Sequence, residues 1–123
     1  MTTLTNSYGF LHNEWLRALD FYEQELSIFK NRLEEITNNN VFENSDVTAY
    51  KDQFLIRQKD VDDLKHLIMG HAQKISDEFK QNADKLNANL VADHKNIGIK
   101  IKQFEKKITD LRYNFDQYLN QWM

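Results

Sequence analysis

Apolar and aromatic side chains recur along this chain in three runs, each with steps that alternate between three and four residues. The first run is His12, Trp15, Leu19, Tyr22, Leu26, Phe29, Leu33 and Ile36. Such steps place every member on one stripe of an α-helix, so the run predicts one long helix packed along its whole length. Phe21 and Ile28 flank the stripe on one side and Leu16 on the other. That face is wider than a two-stranded coiled coil needs and suits a bundle. The second run is Val47, Tyr50, Phe54, Arg57, Val61, Leu64, Ile68, His71 and Ile75; the third is Leu90, His94, Ile97, Ile101, Phe104, Ile108, Leu111, Phe115, Tyr118 and Trp122.

The breaks between runs read as turns. Thr37 to Asn40 ends the first helix, because Asn favours turns over helix interiors. Val41 and Phe42 are expected to fold back onto the bundle end. Asn44 or Ser45 can cap the second helix, with Asp46 suited to its positive end. Beyond Phe79 the pattern loosens, so a turn belongs between residues 80 and 93, with Asn89 or Asp93 as the next cap. The expected helices are about 8–38, 45–80 and 90–122, in a single domain over 1–123. Short links make neighbours antiparallel. The expected fold is all-α, an elongated up-down-up antiparallel three-helix bundle, with its last turn at Trp122 packed.

Composition sharpens this picture. There is no proline and there are three glycines, which fits long helices better than strands and hairpins. There is no cysteine, so disulfides, thiolate catalysis and zinc–cysteine sites are excluded. A net charge of −3 argues against a nucleic-acid partner, which calls for a basic face. The opening MTTLTNSYGFLHNEW has neither the basic start nor the apolar run of a signal peptide. No segment approaches the roughly 18 apolar residues of a membrane span. A cytoplasmic protein is expected. The acidic run at Asp60, Asp62 and Asp63 and the basic run at Lys100, Lys102, Lys106 and Lys107 lie mostly off the stripes and read as solvated faces.

Candidate chemistry is confined to the four histidines. His66 and His71 stand five apart, about 140° from each other on an α-helix, so they cannot grip one ion together. Only a π-bulge at Gly70 would change that. His66 should face water within reach of Asp62. His12, His71 and His94 lie on the three stripes, one per helix. If the first turn centres near residue 41 or 42, the numbers of facing residues total about 83 or 84, which sets His12 opposite His71. His94 joins them only if the second turn centres near 82 or 83; a centre near 86 would set it opposite Glu78.

Two readings of this layer compete. One is a polar layer near an open bundle end. The other is a site in which neutral imidazoles from three helices hold Zn²⁺ or another transition metal and leave one position open. Expected positions of His12 and His94 near helix N-termini would favour the neutral ligand form. Glu14, Glu78 and Asp93 are the candidates for a fourth ligand. No Glu-x-x-His is present, unlike ferritin-like bundles. No nucleophile elbow, P-loop or GxGxxG appears either, so no catalytic residue is assigned and an enzyme is not expected.

The stretches EWLRALDFYEQELSIFKNRLEEI (14–36) and FLIRQKDVDDLKH (54–66) resemble an uncharacterised family of small bacterial helical proteins. The resemblance implies a coiled-coil-like fold and cytoplasmic character, and it assigns no functional residue or cofactor. The leading expectation is a non-enzymatic helical bundle acting through protein contacts, as a homodimer or with another protein. It rests on the apolar residues outside the stripes: Phe21, Ile28, Phe42, Ile56, Leu67 and Met69. Arg57 is expected to snorkel from its stripe, or else to pair with Asp20, Glu23, Glu25 or Glu34.

Overall fold

A computed structural model of the chain describes residues 3–39, 45–81 and 87–121. Among these only Asn87 and Gln121 lie outside a helix. The helices are α1 (Thr3–Asn39), α2 (Ser45–Gln81) and α3 (Ala88–Asn120). The all-α three-helix architecture is as expected, but α1 begins about one and a half turns earlier than the apolar pattern indicates. At 1.5 Å per residue α1 and α2 are each roughly 55 Å long. None of the described helices is long and apolar enough to cross a membrane.

The stripes are the core. Leu19, Leu26, Phe29 and Leu33 of α1, Val47, Phe54, Val61, Leu64, Ile68 and Ile75 of α2, and Leu90, Ile97, Ile101, Phe104, Ile108, Leu111, Phe115 and Tyr118 of α3 are all buried. Three- and four-residue steps keep each on the inward face, and that burial fixes helices which propensity alone would leave marginal. Phe29, Phe54 and Phe115 meet with ring centroids 5.1 to 5.8 Å apart, one ring from each helix. Contacts across the helices define the directions. Gln58 of α2 donates to Glu23 of α1, and Lys65 reaches Glu23 and Asp20, as antiparallel neighbours require. Tyr22 donates to Glu105, and Arg112 makes a two-pronged pair with Glu25 at 2.7 and 2.8 Å, so α1 and α3 run parallel. The course is up-down-up.

Several local expectations are corrected. The α3 cap is Asn87, which accepts from the Asn89 N–H at 2.7 Å, and not Asn89 or Asp93. The helix starts before the apolar stripe does, so the cap lies one turn upstream of the first core residue. Arg57 pairs with Asp60 of its own helix at 3.2 Å, not with a carboxylate of α1. On α1, Glu23 is held by Gln58 and Lys65, Asp20 by Lys65 and Glu25 by Arg112. Asp46 does stand in the first turn of α2. The expectations for Val41, Phe42, Asn44 and Trp122 fall outside the described residues.

Candidate metal centre

The three stripe histidines come together. His12 and His71 are each 4% exposed, and His94 is half-buried. Ring centroids lie 5.2 Å apart for His12 and His71, 5.4 Å for His12 and His94, and 5.5 Å for His71 and His94. One nitrogen from each ring falls within 4.8 Å of the others. His94 therefore joins the layer and does not face Glu78. His66 is exposed, and its Nδ1 lies 2.8 Å from the Asp62 backbone carbonyl, not from the Asp62 carboxylate. The helix runs through Gly70 as ordinary α-helix, so no bulge turns His66 inward.

Hydrogen bonds fix which nitrogens carry protons. His71 Nε2 lies 2.8 Å from the Leu90 carbonyl oxygen. A carbonyl only accepts, so His71 Nε2 holds the hydrogen. In the neutral ring Nδ1 is then an acceptor, and it lies 3.0 Å from His12 Nε2, which donates. The line of donors runs from α1 through α2 to the first turn of α3. It stops there: His94 Nδ1 is buried and has no hydrogen-bond partner. An imidazole nitrogen left so costs free energy unless a ligand meets it.

Two aromatic rings hold His94 in place. Tyr8 stands edge-on at 4.3 Å and Trp15 lies tilted at 4.7 Å. Tyr8 lies outside the first apolar run as the sequence marks it. A step of four back from His12 would have found it, because the first stripe continues upstream. The Leu90 carbonyl had no such signal, since every residue has one.

The electrostatics favour the neutral form of His12 and of His94. Burial, then the neighbouring His71 and His94, pushes His12 from 6.5 down to about 4. Burial, then His71, lowers His94 as well. Helix N-termini do not contribute. His12 lies more than two turns into α1, and His94 is well inside α3, beyond the single turn over which a helix end acts. The expectation of N-terminal assistance is therefore corrected, and burial replaces it.

Three imidazoles are the kind of donor set a transition metal takes, and their nitrogens, within 4.8 Å of one another, would have to draw closer to share one ion. Two ligands of a tetrahedral ion with Zn–N bonds of about 2.0–2.1 Å sit roughly 3.3 Å apart. The 3.0 Å between His12 Nε2 and His71 Nδ1 is close to that. His71 offers Nδ1 while Nε2–H is anchored on a carbonyl, the outer contact that orients metal-binding histidines. No carboxylate joins the group among the described residues. Glu14 is exposed and paired with Arg17, Asp93 is exposed, and Glu78 is not in the cluster, so none of the three expected candidates supplies a fourth ligand. Comparison with protein-family models, with curated proteins and with solved structures gave no match.

Proposed function

We propose that this chain is a helical bundle that binds a divalent transition metal through His12, His71 and His94. The observation that carries the reading is the convergence of three imidazoles from three helices, with His94 Nδ1 buried and unpartnered. Imidazole donors suit Zn²⁺, Cu²⁺ and Ni²⁺, and three of them leave an open position on a tetrahedral ion. Binding requires the His12 proton to move from Nε2 to Nδ1, so that Nε2 becomes a donor to the ion. Zn²⁺, Ni²⁺ or Co²⁺ should raise the melting temperature. A ligand bound only by the folded state stabilises it by about 2.7 kcal/mol at a hundredfold excess over Kd. His71→Ala should abolish the shift, and His66→Ala should keep it. Elemental analysis of protein purified without a histidine tag is the independent check. No bound metal and no shift with any of the three ions would overturn the reading.

A second reading, action through protein contacts, is favoured by a row on the outer face of α1. Phe10, Phe21 and Ile28 are each more than half exposed. Steps of 11 and 7 residues return to the same side of a helix within about 20°. The row suits a second copy of this chain, and Ile56, Leu67 and Met69 of α2 are exposed too. Light scattering at micromolar concentration should give a dimer that Phe21→Lys dissociates; a clean monomer removes this reading. The cytoplasmic placement suggested by the sequence belongs to the same proposal.

A further inference from the structure

The charge of the proposed site does not balance. A divalent ion held by three neutral imidazoles brings two positive charges into a layer where His12 and His71 are 4% exposed. No protein carboxylate joins the group among the described residues. Uncompensated charge in such surroundings is costly, and a carboxylate in the open position halves it.

A route for that anion lies beside His71. A groove of about 760 Å³ runs between α2 and α3; of the three histidines His71 alone lines it, with Leu67 and Ile97 beside it. Gly70 contributes no side chain to its wall. Lys74 stands on the α2 side and Lys100 on the α3 side. Of the two acids along it, Asp63 pairs with Lys59 at 3.1 Å; Asp93 is exposed, as are both lysines. The size is within the range of small-molecule sites, about 300–1,000 Å³, and the mix of apolar lining with a few charged groups is theirs too.

We infer that this groove seats a small carboxylate with a compact apolar body, its head completing the coordination of the histidine-bound ion; the inference rests on the metal reading. Lys74, three residues along α2 from His71, draws the head in; Leu67 and Ile97 take the body, and Lys100 beyond them attracts the anion to the groove.

Cobalt separates the two ideas, because its visible absorption reports coordination directly. Co²⁺ added to the full chain should give a visible band that His71→Ala lacks. Benzoate should then change the band saturably, acetate should act only at much higher concentration, and benzamide, which has no charge, should leave it unchanged. Replacing both lysines (Lys74→Gln with Lys100→Gln) should keep the band and weaken benzoate roughly five- to tenfold. No band at all would overturn the metal reading and the inference with it. A band indifferent to benzoate would overturn the inference alone. Asp93→Asn decides one rival: if benzoate acts only on that variant, Asp93 is the fourth ligand and the groove is not a carboxylate site. An equal response to acetate and benzoate would remove the apolar body from the proposal.

Discussion

The aromatic level around Phe54 and the histidine level around His71 are built on the same three stripes. Each takes one ring from each helix, and Phe54 and His71 are nearly equally buried, at 1% and 4%. At the aromatic level the rings gain from burial and edge contacts, and no atom asks for a partner. At the histidine level the same geometry carries six ring nitrogens. Two hydrogen bonds occupy three of them, and of the other three His94 Nδ1 is buried with no partner. Periodicity places a ring in the core whatever its chemistry. The chemistry then decides whether that level adds stability outright or holds it conditionally.

The largest expected effect is at the aromatic level. Phe54→Ala should cost about 3–5 kcal/mol, read as a fall in the urea midpoint, because three packed rings cannot close the gap. In metal-free protein His71→Ala should cost less, about 1–3 kcal/mol, from the partners it strands on His12 and Leu90. Equal losses would break the comparison.

Of the two levels, acid should act at the histidine one, and between pH 7.5 and 5 it acts there before it reaches carboxylates such as Glu23. The folded value of His12 lies below the unfolded one, so unfolding takes up a proton once the pH is under 6.5. The stability tied to the neutral ring is complete above about pH 6.5 and is lost as the pH falls toward about 4. On the order of 2 kcal/mol should be gone by pH 5, and His94 adds in the same direction. Chemical denaturation of metal-free protein between pH 7.5 and 5 measures the slope, and His12→Leu should flatten most of it. A flat wild-type profile would mean that the rings do not share a buried layer.

Two smaller effects sharpen the boundary between levels. Gly70→Ala, one residue from His71, should stabilise by about 0.5–1 kcal/mol, since an added Cβ meets nothing within 4 Å and glycine is costly inside a helix. Its melting curve should rise without altering the metal response. Arg57→Leu lies between the levels, in a stripe but satisfied by Asp60 on its own helix. A change within about 1 kcal/mol, in either direction, is expected from thermal melts. A loss of several kcal/mol would make Arg57 part of the core and not a snorkelled edge residue.

The alternation of threes and fours in the amino-acid sequence by itself determined three long helices, their inward faces and the opposition of His12 and His71. A helix repeats at a fixed pitch, so spacing converts directly into direction and level. It did not determine that His94 would join them. That depended on how the chain passes from Gln81 to Asn87, and periodicity carries no information about the path of a link. Nor did it show the Leu90 carbonyl, the Asn87 cap or the Asp60 partner of Arg57. These contacts use backbone atoms common to all residues, or pairings that several carboxylates could equally have made. Only the packed helices bring one such atom within 3 Å of His71 and leave another, His94 Nδ1, with none.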